Sequence, residues 1–296
     1  MKRNDRSFDS QALPQPQPNT ALRNGISVTA TQSSSAMPSD DNTPPPNNAA
    51  PAARGFSALL AHVSAHKIDF ALWVTRVLTL YFTLIYVLPF IGNPYEAYYK
   101  ALAASGATSA LRLHQRLPRV SLTREFFAML LAEDSAHYLF YCLLFMTGNT
   151  ITVVLMPIAL FAALHAASYS LTLLDALGMG RGSNAGLAKA LVSLVELQSR
   201  NILRAAAFSE IFLMPIVVVM IFMGRATLFT PFLYYRFLAM RYASMRNPYT
   251  RNMFHEIRVA AEEAAASPRF PQGARNMLFK IIGFISRLAP MQMAAQ

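Results

Sequence analysis

Glu133, Asp134 and His137 stand inside an apolar stretch, and Glu133 and His137 are four residues apart. That spacing puts two side chains on one face of a helix. His165 lies in the next apolar run, and Arg204 and Glu210 in the one after it. A carboxylate and an imidazole on one face can begin a metal or proton-relay site, completed by His165 or Glu210. The competing reading is structural. A charge at membrane depth costs about 2.5–3.5 kcal/mol on insertion scales, so such groups must pair, snorkel or act. The structural reading is preferred: Glu133, His137, Arg204 and Glu210 form an intramembrane polar network that joins helices. A dimetal helix bundle would want several Glu and a Glu-x-x-His spacing, which is missing here.

No other constellation points to catalysis. The chain has no Walker loop, His-Glu-x-x-His, Gly-x-Ser-x-Gly or Gly-x-Gly-x-x-Gly. The Gly cluster at Gly178 to Gly182 is not followed by Lys-Ser/Thr and reads as a turn. Cys142, the sole cysteine, lies in an apolar run, which excludes an intrachain disulfide and a Cys-based zinc site. The expectation is a protein with no catalytic activity, no cofactor and no metal.

The elements that carry these residues are apolar runs of helix length. Phe126 to Met146 is followed by Thr147-Gly148-Asn149 and then Ile151 to Leu174; Ile202 to Met223 is followed by Gly224-Arg225-Ala226 and then Thr227 to Ala243. Connections this short force antiparallel, side-by-side packing. Runs of about 20 residues span a hydrocarbon core about 30 Å thick. A further run, Ile68 to Phe90, holds Arg76 in its first half. The sequence therefore predicts an all-α integral membrane protein: a Pro-rich disordered tail over 1–66, a transmembrane region over 67–245 (first segment 68–90, hairpins 126–174 and 202–243), and a basic amphipathic-helix region over 246–296.

Composition agrees. Apolar residues make up 54% and charged residues 14%, against about 25% charged in ordinary soluble domains. The tail is nearly neutral, so +10 of the net charge of +11 falls on residues 56–296. On a membrane protein such an excess points to cytosolic loops and anionic lipid headgroups, and without a nucleic-acid-binding signature it argues against nucleic acid. The positive-inside rule places 93–124, 175–201 and the C-terminal region in the cytosol. Within 93–124 the Ala-rich stretch Tyr95 to Leu113 reads as an interfacial helix. Tyr234-Tyr235-Arg236 and Arg241-Tyr242 read as an aromatic and cationic belt at the membrane–water boundary. In the last helix, Ala274 to Leu288, Asn276, Lys280, Gly283 and Arg287 form one polar stripe opposite Met277, Leu278, Ile281, Ile282, Ile285 and Leu288. This pattern suits a helix lying in a bilayer interface, with Lys280, Arg287 and Arg275 at the membrane surface.

Ser109-Ala110-Leu111-Arg112-Leu113-His114-Gln115-Arg116-Leu117-Pro118 resembles a hallmark of the transmembrane protein 33 family (the Krüppel homologue 2 family, related to the yeast Pom and Per proteins). Glu133-Asp134-Ser135, His137-Tyr138-Leu139, Glu210 to Pro215, Tyr234 to Leu238, Arg246 to Tyr249 and Phe284 to Pro290 continue the likeness in order, over about 65–290. The resemblance implies a multi-pass protein of the endoplasmic reticulum and nuclear envelope, usually drawn with three transmembrane helices. It implies association with reticulons, a role in the tubular network and in nuclear-pore assembly, and a link to the unfolded-protein response. No active site comes with it. The rival readings are an adaptor with a basic C-terminal region, which needs no effect on curvature, and a small transporter or channel. The sequence also allows a homo-oligomer.

Overall fold

The computed structural model describes residues 55–88, 90, 92–117, 123–178, 185–267 and 270–289. Among the described residues there are eleven α-helices and no strand: α1 (Phe56–Ala65), α2 (Lys67–Val87), α3 (Pro94–Arg116), α4 (Arg124–Ala132), α5 (Asp134–Met146), α6 (Thr152–Ala176), α7 (Ala185–Val192), α8 (Ser199–Phe222), α9 (Phe229–Ala243), α10 (Tyr249–Ala266) and α11 (Gln272–Leu288). A π turn, Ser193–Leu197, leads from α7 towards α8. Of the tail expected over 1–66, residues 1–54 lie outside the described residues, as does most of the glycine turn at 178–182. Residues 56–65 correct that boundary, because they form α1 and lie against α6: Gly55 N–H donates to the Ala176 carbonyl (3.4 Å).

Among the described residues three helices are long and apolar enough to cross a membrane: α2, α6 and α8. α2 packs along α3 and α8 along α9, each as an antiparallel pair. α6 follows α5 through a short turn but packs against α8 and α2, while α5 packs against α3 and α9, which corrects the side-by-side hairpin expected over 126–174. The α2–α3 pair was not expected. α3 is not an interfacial helix standing apart. It lies along α2 and α5 and buries Ala97, Tyr98, Ala101, Leu102, Gly106 and Ser109. Four of these six are Ala, Gly or Ser, residues that add little to hydropathy but let helices approach closely. A Cβ on Gly106 would sit 3.6 Å from Cys142 Cβ. Local signals set the start of α3: the Asn93 side chain accepts from Tyr95 N–H at 3.0 Å, and Pro94 occupies the first turn, where its missing N–H costs nothing.

The expected continuous helix over Phe126 to Met146 is also corrected. It breaks at Glu133, whose extended backbone (φ −90°, ψ 120°) separates α4 from α5. The Glu133 carbonyl accepts from the N–H groups of Ala136 (2.9 Å) and His137 (3.3 Å), so Glu133 is the N-terminal boundary of α5, and Asp134 faces the helix dipole in its first turn. At 13 residues, α5 extends about 20 Å, short of a hydrocarbon core.

The three tight connections meet at one end of the bundle. Asn149 Nδ2 donates to the Arg225 carbonyl (2.6 Å), Tyr99 Oη to the Gly148 carbonyl (2.8 Å), and Tyr86 Oη pairs with Thr152 Oγ1 (2.8 Å). Gly224 (φ +67°) ends α8 in the left-handed region, and Arg225 N–H then reaches back to the Met220 carbonyl at 2.8 Å. Between the two ends lies an aromatic core in which Tyr141, Phe145, Tyr234 and Phe237 have ring centroids 4.9–6.1 Å apart.

Candidate functional site

The opposite end, where α2, α5 and α8 begin and α3, α6 and α9 finish, gathers the charged residues. Glu210 is at its centre and is fully buried. It belongs to a stripe of α8 made by Ala206, Glu210, Leu213 and Val217, all turned inward at helical spacing. Its carboxylate accepts from Tyr138 Oη, from Arg241 Nε (3.3 Å) and from Thr250 Oγ1 (3.3 Å), while its backbone carbonyl accepts from Tyr234 Oη (2.6 Å). Arg241, with 1% of its side chain exposed, lies with its guanidinium carbon 5.0 Å from the Tyr138 ring centroid and donates through Nη1 to Asp134 Oδ1 (3.1 Å). Ser244 Oγ donates to the same Asp134 oxygen at 2.8 Å. One guanidinium thus ties the start of α5 to the middle of α8 from the end of α9.

A second node lies beside it. Glu133 accepts from Arg246 Nη1 (2.7 Å to Oε2, 2.6 Å to Oε1) and from Arg116 Nη1 (3.2 Å). It therefore joins the α4–α5 break to the end of α3 and to the segment after α9. His137 lies between the node and α4, with Nδ1 3.7 Å from Asp134 Oδ1. Its Nε2 meets the Leu131 carbonyl at 2.7 Å, which makes Nε2 the protonated nitrogen and closes the exposed carbonyl end of α4.

The expected network over Glu133, His137, Arg204 and Glu210 is thus redrawn. Glu133 and Glu210 each anchor a node. His137 binds the Leu131 carbonyl and approaches Asp134. Glu133 is the boundary residue of α5, and among the described residues its carboxylate makes no bond to the imidazole. Arg204 belongs to neither node: it pairs with Glu256 of α10 at 2.7 Å, with both side chains nearly half exposed. Sequence reasoning missed Arg116, Tyr138, Arg241, Ser244, Arg246 and Thr250. It placed Arg241 in an interfacial belt, yet the inward residues of α9 (Tyr234, Phe237, Leu238 and Arg241) follow a helical repeat that carried the signal. Arg275 Nη2 donates to the Ser267 carbonyl (3.2 Å), where α10 ends. Lys280 and Arg287 are exposed, and among the described residues they make no ion pair.

Chemically this end is a set of closed acid–base pairs. Among the described residues no three His, Cys, Asp or Glu side chains come together as metal ligands would. Next to the pairs is a cavity of about 330 Å³ that Arg76, Arg112 and His165 also line. Burial, and next the charge of Arg116, push the Arg112 guanidinium below its usual pKa; Asp69 acts in the other direction.

Residues 51–291 match the model of the family described as Transmembrane protein 33/Nucleoporin POM33. Krueppel homolog 2 of Drosophila melanogaster is 47% identical over 232 residues, 78% of this chain and 82% of the relative. Transmembrane protein 33 of Homo sapiens is 45% identical over 228 residues, 76% and 91% of the two chains. The Transmembrane protein 33 homolog of Caenorhabditis elegans is 39% identical over 238 residues, 79% and 86%. No solved structure matches.

Proposed function

The chain belongs to the Transmembrane protein 33/Nucleoporin POM33 family, and on that premise we propose that it is a non-enzymatic organiser of the endoplasmic-reticulum and nuclear-envelope membrane. In this reading it shapes the tubular network and serves nuclear-pore assembly alongside reticulon-type proteins. The observation that carries the reading is α11. This helix has no buried residue, and Met277 (65% exposed), Phe284 (64%) and Ile285 (46%) stand free of the bundle. An apolar face left open beside Lys280 and Arg287 suits a bilayer surface. The charged end of the bundle would face the cytosol by the positive-inside rule. Helix volume added to that leaflet, with the helical bundle beneath it, favours curvature towards the cytosol.

Reconstitution tests this. Purified protein in liposomes of neutral and anionic phospholipid, at increasing protein-to-lipid ratio, should give smaller vesicles or tubules by electron microscopy. Met277→Ser/Phe284→Ser should keep its fold and lose the effect. Vesicles of unchanged radius at every ratio would overturn the shaping role and leave the adaptor reading, in which the basic C-terminal helices recruit partners such as a stress sensor.

A further inference from the structure

Five arginines line the cavity at the charged end: Arg76, Arg112, Arg116, Arg241 and Arg246. Three carboxylates answer them. Glu133 holds Arg116 and Arg246, and Glu210 with Asp134 holds Arg241. Two positive charges remain, and they belong to Arg76 of α2 and Arg112 of α3. Among the described residues neither makes an ion pair or a hydrogen bond. Asp69 acts on both at longer range, but its side chain is half exposed and lies 3.8 Å from His66. Counting Asp69 still leaves the cavity net positive.

Arg76 is only 7% exposed. A buried guanidinium with five donors and no acceptor is an unusual expense in a membrane helix, since cations at that depth ordinarily pair or face a wet cavity. The surroundings add donors. Ser109 precedes Arg112 by three residues, so its buried hydroxyl shares a helical face with that arginine. The Thr79 hydroxyl, three residues after Arg76, is also buried but already donates to the Thr75 carbonyl (2.9 Å). His165 enters from α6, and among the described residues it makes no hydrogen bond. Arg116 and Arg246, with 44% and 55% of their side chains exposed, leave the rim open to solvent. Guanidinium pairs with hydroxyl donors match a phosphate, and basic pockets between membrane helices on the cytoplasmic side hold phosphorylated headgroups. About 330 Å³ lies at the small end of ligand cavities, enough for a phosphate with its immediate substituent.

We propose that this cavity binds a phosphate group, clamped by Arg76 and Arg112, with Ser109 and His165 completing the shell. A phospholipid headgroup and a soluble phosphate both offer that chemistry.

The test uses the full chain in an uncharged detergent, with its thermal unfolding midpoint as readout. The probes are dioctanoyl phosphatidic acid, dioctanoylglycerol and inorganic phosphate. Phosphatidic acid should raise the midpoint in a saturable way, while dioctanoylglycerol should not. Inorganic phosphate giving the same shift assigns the site to a soluble anion; no shift from phosphate assigns it to a lipid headgroup. Arg76→Gln/Arg112→Gln should weaken binding at least tenfold, and Lys280→Gln/Arg287→Gln should leave it unchanged, separating the cavity from α11. Should the arginine variant fold poorly, Ser109→Leu keeps both charges, fills cavity space and should abolish the shift. No shift from phosphatidic acid or phosphate, or a shift that survives both the arginine and Ser109 substitutions, overturns the proposal.

Discussion

Arg241→Met should be among the most destabilising single substitutions in this chain, and Glu210→Gln should rescue it. The reason lies in the burial of the pair: 1% of the Arg241 side chain and none of the Glu210 side chain is exposed, with Nε and Oε2 3.3 Å apart. Removing the arginine leaves a carboxylate in the interior with two neutral donors, Tyr138 and Thr250, and no cation. Breaking a buried pair in this way costs about 3–5 kcal/mol. The Arg241–Asp134 bond is lost as well, although Asp134 keeps Ser244. Glu210→Gln alone leaves Arg241 with Asp134, at the cost of about 1–3 kcal/mol for a weakened charged hydrogen bond. With both changed, no buried charge remains at this position, and replacing a buried pair by neutral groups is often close to neutral. The two single losses should therefore exceed the double-variant loss by about 2 kcal/mol or more. Reversible unfolding of purified protein in mixed micelles with rising denaturing detergent would measure all four corners of the cycle. Additive losses, or an Arg241→Met loss below about 1 kcal/mol, would show that the pair is not what holds α5, α8 and α9 together.

Glu133→Ala should destabilise by only about 1 kcal/mol, because the Arg246 and Arg116 it leaves unpaired at the α4–α5 break are about half exposed and water can solvate them, and amide exchange by mass spectrometry should localise the opening to α4. Gly224→Ala should cost about 1–2 kcal/mol: φ is +67°, and a Cβ there would meet nothing within 4 Å, so the loss is conformational and Gly224→Asn should recover part of it. In flotation assays Lys280→Gln/Arg287→Gln should bind anionic vesicles about 30-fold more weakly, from about 1 kcal/mol per basic residue at the surface, and the difference from wild type should vanish at high salt. A salt-independent loss would mean that these residues act through the bundle instead.

How much of this was legible in the sequence differs from residue to residue, for physical reasons. Hydropathy measures transfer from water, and α2, α6 and α8 are apolar over enough of their length for it to find them. It misses α3, because the inward side of that helix is made largely of Ala, Gly and Ser, and its attraction to α2 and α5 comes from close packing. Gly148-Asn149 and Gly224 announce turns through backbone freedom, which is local and so readable. The pair Glu133-Asp134 also carries a local message, acids at a helix start, but inside an apolar run it reads just as well as charge needing a partner within one helix. Choosing between the two requires knowing that Arg246, 113 residues away, comes to Glu133.

The same distance governs the rest of the charged end. Glu210 and Arg241 each sit on an inward-facing repeat of their own helix, so each could be read as a buried charge in need of an opposite. Which opposite it finds is decided by the packing of α5 against α9 and α8 against α9, and no local spacing encodes that. Arg76 and Arg112 show the converse. Each looks like an ordinary cation near a membrane surface until the acids around them have been assigned to other arginines. Their lack of a partner belongs to the assembled end as a whole, because it follows from five cations sharing three carboxylates across five helices, the α4–α5 break and the loop that follows α9. A chain that needed this charge only for topology could have left it on the exposed rim beside Arg116 and Arg246. Placing it inside, among buried hydroxyls, is what separates a binding site from a topology signal.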